Sequence, residues 1–175
     1  MVAESQTMLD DFMTVLQNIG GTVTQTQSSD ELEAMLQQKR ESGAEVVNGV
    51  EGLAFYNLPD YIDRDRTEME NVQTVVLKGG IAVAENGAIW VSDKSMGNRL
   101  LPFICQELVL VIDEENIVAN LHQAYKRITV DEGGFGVFIA GPSKTADIEQ
   151  SLVIGAHGPL SLQAFIMKSA TSGRT

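Results

Sequence analysis

Five short runs rich in valine and isoleucine punctuate the sequence between Thr74 and Ala140: TVVL, GIAVAE, AIWVS, ELVLVI and GVFIA, separated by glycine or charge. Branched side chains of this kind fit a pleated surface, and the runs that are apolar without strict alternation read as strands buried on both faces. A final strand, LQAFIM, follows the Gly158-Pro159 turn. A sheet of this sort needs cover on both sides.

Helices supply that cover. From Met8 to Ile19 the apolar residues Met8, Leu9, Phe12, Val15, Leu16 and Ile19 recur at three- and four-residue steps, with Gly20-Gly21 as a stop. TVTQT then alternates as a short strand. In SSDELEAMLQQKRESG, Ser28 and Glu31 have capping-box spacing, Leu32, Met35 and Leu36 share a face, and Gly43 ends the helix. EVVNGVEGLAFYNLP reads as two extended pieces broken by Gly49 and Gly52, and the charged stretch up to Asn71 as a peripheral excursion. Asp113 is placed to cap a third helix whose inner face is Ile117, Val118, Leu121, Tyr125 and Ile128. Strand, helix, strand and helix in order from Leu108 predict a parallel crossover and an α/β fold: an open, mainly parallel sheet flanked by helices.

The totals narrow the function classes. A chain of 175 residues with 43% apolar content can bury one sizeable core, so residues 1–175 are expected to form a single domain. The sequence shows neither a membrane-length apolar run nor a secretory leader pattern, so a cytoplasmic location and no membrane partner are expected. The formal charge of −12 repels a polyanion, so no nucleic-acid partner is expected. The single cysteine, Cys105, lies in an apolar run and reads as a buried, inert thiol. One cysteine and two separated histidines, His122 and His157, give no metal signature, so no metal and no cofactor are expected. His122 reads as ordinary surface.

The stretch FIAGPSKTADIEQSLVIGAHGPLSL, with GGIAVAENGAIWVSDKSMGNRLLPF and LVLVIDEENIVANL upstream in order, closely resembles the signature of the LUD domain, the family of lactate utilization protein C. It places the signature-bearing core in residues 72–168, with residues 1–71 matched less clearly. Two positions depart from the pattern: Asn86 where many relatives have threonine, and Glu107 where relatives often carry histidine. The resemblance implies a fold similar to the sugar-phosphate isomerase and CoA-transferase group. It also implies a role in oxidising lactate to pyruvate beside iron-sulfur partner proteins, with no catalytic step assigned to this chain.

In GPSKTADIE, the Gly141-Pro142 turn follows a strand and precedes a helix start, where free backbone N–H groups converge and attract a small anion. Ser143 and Thr145 would donate hydroxyl hydrogen bonds and Lys144 would supply charge. The same residues also read as a cap, with Ser143 or Thr145 as N-cap and Asp147 and Glu149 complementing the helix dipole. His157, followed by Gly158, can orient a carboxylate, transfer a proton or simply bond a nearby carbonyl. Asn86-Gly87 is a type I′ hairpin signal, which makes Glu85 a strand end. By resemblance, Glu85 occupies the place of a glutamate nucleophile toward acyl groups. Gly79-Gly80 reads as a tight turn.

Residues 85 and 140 both end strands; if these run parallel, Glu85, Ser143 and Thr145 share an edge, with His157 near. The leading function is an accessory, non-redox subunit of lactate oxidation. The alternatives are a stand-alone enzyme acting on an acyl-CoA or a sugar phosphate, and a non-catalytic ligand sensor.

Overall fold

The computed structural model describes residues 2–130, 134–143 and 158–168. In chain order the elements are α1 (Val2–Asn18), β1 (Thr22–Thr26), α2 (Asp30–Glu41), β2 (Glu45–Asn48), β3 (Val72–Lys78), β4 (Ile81–Val83) and β5 (Ala88–Ser92). There follow α3 (Asp93–Met96), α4 (Leu101–Ile104), β6 (Glu107–Asp113), β7 (Ile117–Val118), α5 (Leu121–Arg127), β8 (Gly136–Ala140) and β9 (Ser161–Met167).

Five strands form an entirely parallel sheet in the order β1-β9-β6-β3-β2. Its inner strands β3 and β6 are buried almost without interruption, as a parallel sheet covered on both faces requires. The pleat divides their side chains. Val76, Val109, Val111 and Phe165 meet Leu32 and Leu36 of α2 on one face. Val75, Leu77, Leu108, Leu110 and Ile112 meet Leu9, Phe12 and Leu16 of α1 on the other. Burying a leucine of this kind fully is worth roughly 1.5–3 kcal/mol.

A second, four-stranded sheet in the order β7-β4-β5-β8 packs on the α1 side, contributing Ala82, Ile89, Val91, Ile117 and Ile139 to the same core. Its outer face, with Ile81, Val83 and Val118, is covered by α5 through Ala124 and Leu121. The chain passes between the sheets at Gly79-Gly80. The Gly79 N–H still bonds Val111 in the first sheet (2.9 Å) while the Gly80 N–H bonds Trp90 in the second (2.8 Å). A side chain at Gly79 would meet Ile89 at 2.7 Å, so this tight crossing requires glycine.

Several local expectations are corrected. The third helix begins at Leu121, capped by the Asn120 side chain, not at Asp113. Ile117 and Val118 are instead drawn into a strand beside Ala82 and Val83, and the Asp113 carboxylate pairs with Lys78 at 2.7 Å. Tyr125 consequently stays 63% exposed. The strand after α5 is no parallel neighbour of β6: β8 pairs antiparallel with β5, and β6 receives β9. The segment after β2 is turn rather than strand, because buried Asn48 folds it back with bonds from its side chain to the Ala54 carbonyl and from the Val50 N–H. Before α2, Ser28 accepts from the Asp30 N–H while Ser29 bonds Glu33, so the capping box does not form.

The 58–71 excursion is anchored. Leu58, Tyr61 and Met69 are buried, and the Asn98 amide donates to the carbonyls of Tyr61, Ile62 and Arg64 at 2.9–3.2 Å.

Candidate functional site at the signature turn

β4 and β8 each pair antiparallel with β5, so they run in the same direction and end on the same edge of the smaller sheet. Glu85 follows one and Gly141 the other. With β5 between them, their backbones stand roughly 10 Å apart at the usual strand spacing. This edge lies beside the amino ends of the parallel sheet, because β9 begins at Ser161 opposite Glu107 and the Leu160 N–H bonds the Gln106 carbonyl at 2.7 Å. The usual crevice of a parallel sheet lies at its carboxyl ends, on the opposite side of the molecule.

The last turn of α1 shapes this edge. At Gly141, whose φ is 71°, a Cβ would sit 3.0 Å from the Ile19 carbonyl oxygen. At Gly87, with φ 69°, it would sit 3.1 Å from Ile19 Cδ1 and 3.2 Å from the Leu16 backbone. Both turns carry glycine for two reasons: the left-handed backbone and the helix end pressed against them. Asn86 does not take the positive φ that a type I′ turn demands. Its side chain accepts from the Ala88 N–H, and the Gly87 N–H bonds the Val83 carbonyl, which closes a longer turn.

Ser143 and Gly158 meet. The Ser143 N–H donates to the Pro159 carbonyl at 2.9 Å, and a Cβ at Gly158, where φ is 146°, would stand 3.2 Å from Ser143 Cβ. Ser143 itself is exposed, with its main-chain donor already engaged. Lys144, Thr145, Asp147, Glu149 and His157 lie outside the described residues.

Glu85 is exposed, and its Oε1 accepts from the Leu121 N–H at 2.7 Å, at the first turn of α5. Its own N–H continues the pairing toward Ala119 at 3.1 Å. It borders a groove of about 280 Å³ with Met8, Asp11, Thr14, Val15, Ala84 and Ala119. The carboxylate is thus engaged at the start of α5, on the β7 side of β4, whereas Gly141 follows β8 on the other side of β5.

Cys105 is 2% exposed, and burial pushes its thiol up to about 12. Such a thiol supplies no thiolate near neutral pH. His122 is exposed, as expected. No group of three or more His, Cys, Asp or Glu among the described residues is placed to hold a metal. None of the described helices is long and apolar enough to cross a membrane.

One polar cluster escaped sequence reasoning. At the amino edge of the parallel sheet the Glu107 carboxylate accepts from both the Lys39 ammonium and the Thr74 hydroxyl. Lys39 and Glu107 line a cavity of about 390 Å³ there, with Thr22, Gln38, Ser161 and Gln163 among the other residues of its wall. Burial pushes the Glu107 carboxyl up, but Lys39 and Thr74 outweigh it and hold the group below its ordinary value. No spacing rule links Lys39 to a partner 68 residues away.

These features define an α/β domain in which a wholly parallel five-stranded sheet carries a second, mixed sheet on one face. Comparison with known proteins supplies the family: the LUD domain matches residues 17–167, and the chain belongs to that family. It is 37% identical over 84 residues to Lactate utilization protein C of Bacillus pumilus, across 45% of this chain and 35% of that protein. It is 30% identical over 102 residues to the protein of the same name from Geobacillus kaustophilus, across 55% of this chain and 42% of the relative. The chain spans less than half the length of these curated relatives. The crystal structure of a duf162 family protein from Deinococcus radiodurans has the same fold, with a TM-score of 0.71 at 18% identity, covering 93% of this chain and 98% of that one.

Proposed function

We propose that this chain is an accessory, non-redox component of lactate utilization, which binds a small anionic ligand or a partner protein at the turn formed by Gly141, Ser143 and Gly158. The observation that carries the reading is the LUD match over residues 17–167, together with the sequence likeness to relatives named Lactate utilization protein C. The inert thiol supports the non-redox assignment: the one cysteine of this chain offers no ligand to an iron-sulfur cluster. On this reading the electrons of lactate are carried by iron-sulfur partner proteins. Lys144, Thr145 and His157 are the residues proposed to meet the ligand, with Asp147 and Glu149 at the start of the following segment. Glu85 serves as the acceptor that fixes α5 and is not proposed as a nucleophile.

The test pairs genetics with binding. Deleting the gene should abolish growth on lactate as sole carbon source, and the intact chain should restore it, while the S143A/T145A variant should not. Purified protein should not oxidise lactate unaided. Undiminished growth of the deletion strain would overturn the role. In a thermal-shift screen of lactate, pyruvate, CoA esters and sugar phosphates, a ligand at a hundred times its Kd stabilises by roughly 2.7 kcal/mol. The anion site predicts such a shift for one of these classes, lost in the same variant.

A further inference from the structure

The geometry points to a second ligand pocket, for a small carboxylate with an apolar body, in the cleft between the 58–71 excursion, the junction of β5 with α3, and the residues that lead into β8. This inference does not depend on the proposed role in lactate utilization.

The cleft has a volume of about 450 Å³, within the range of small-molecule sites. Ile62, Val130 and Phe135 are 47%, 48% and 39% exposed, and all three line it. Scattered exposed apolar side chains need no explanation, but three converging on one concavity form a surface that water wets poorly. Trp90 forms a further wall and is held in place. Its ring lies 5.0 Å from that of Phe138, and a Cβ at Gly136 would come within 2.2 Å of it, so the Gly136 backbone lies directly against the indole.

The charge of the cleft selects among apolar ligands. Asp93 is occupied by Arg99 through two hydrogen bonds of 2.7 and 2.9 Å, and the guanidinium lies 4.8 Å from the Phe135 ring centre. That pair neutralises itself. Lys94 also lines the cleft, and among the described residues it has no carboxylate partner. A cleft walled by Ile62, Trp90, Val130 and Phe135, with one ammonium that has no carboxylate partner among the described residues, complements a molecule that carries one anionic group on a compact hydrocarbon body.

Trp90 is the only tryptophan of the chain, so its emission reports on the cleft directly. The experiment titrates the full chain with cyclohexanecarboxylate, and in parallel with the neutral cyclohexylmethanol, while following Trp90 fluorescence. A saturable change with the carboxylate, at least about fivefold tighter than with the alcohol, is expected from one ammonium near the surface. Lys94→Gln should abolish that preference and leave the alcohol titration unchanged, while Ile62→Asp should weaken both. Lys94 and Ile62 are both exposed, so circular dichroism should show each variant folded as the parent. No saturable response, equal binding of acid and alcohol, or an undiminished preference in Lys94→Gln would each overturn the pocket.

Discussion

Gly141 shows how a single residue is fixed from two directions. Its backbone is left-handed, and the end of α1 occupies the space where a side chain would stand. Gly43 is the natural control, because its φ is 89° but nothing lies within 4 Å of a Cβ there. Gly141→Ala should therefore cost about 1–3 kcal/mol, and more than Gly43→Ala, whose cost is the backbone conformation alone at about 1 kcal/mol. Urea unfolding of the two variants measures the difference, and equal losses would remove α1 from the account. GPS was legible in the sequence as a turn at a strand end. The pressure of Ile19 upon it was not, because Ile19 comes from the other end of the chain and nothing local encodes the approach.

Between elements, two polar clasps do what the apolar core cannot: they choose a position along a surface. Asn98 is 9% exposed; its amide holds three carbonyls of the 58–71 excursion, and its carbonyl accepts from the Leu100 N–H. Replacing it with alanine strands those carbonyls, and the expected loss is about 1–3 kcal/mol. The same variant should show faster amide exchange and tryptic cleavage at Arg64 and Arg66; unchanged cleavage there would refute the clasp.

Glu107 is the second clasp, tying α2 to β6 and β3. Its folded pKa is depressed, so the stability it contributes is present above its ordinary value near about 4.3 and is lost as pH falls through the folded value. The side chain is 42% exposed, so screening limits the contribution to about 1 kcal/mol or less. Glu107→Gln should be less stable than the parent at pH 7, and the gap should close as pH falls below 4. A gap that widened on acidification would reverse the assignment.

On the scale of the whole molecule, a chain with net charge −12 folds against its own repulsion. Raising salt to 0.1 M shortens the screening length to about 10 Å and weakens repulsion between distant carboxylates more than it weakens pairs in contact. The thermal midpoint at pH 7 should therefore rise between 10 and 200 mM NaCl. A falling midpoint would mean that pairs such as Arg99–Asp93 and Lys78–Asp113 outweigh the net charge.

The sequence by itself determined most of the strands, the amphipathic faces of α1 and α2, the α/β class and the family signature, since each is written in residues a few positions apart. The period-3.6 pattern of Leu32 and Leu36 and the β-branched run of β6 need no distant partner to be read. Only the tertiary structure decided that the apolar runs divide between two sheets. It also drew Ile117 and Val118 out of a helix and into a strand beside β4, and turned the Glu85 carboxylate toward α5. Those outcomes depend on pairings between segments far apart in the chain. A short apolar run satisfies its backbone equally well in either sheet, and the competition is settled by which neighbour arrives to cover it.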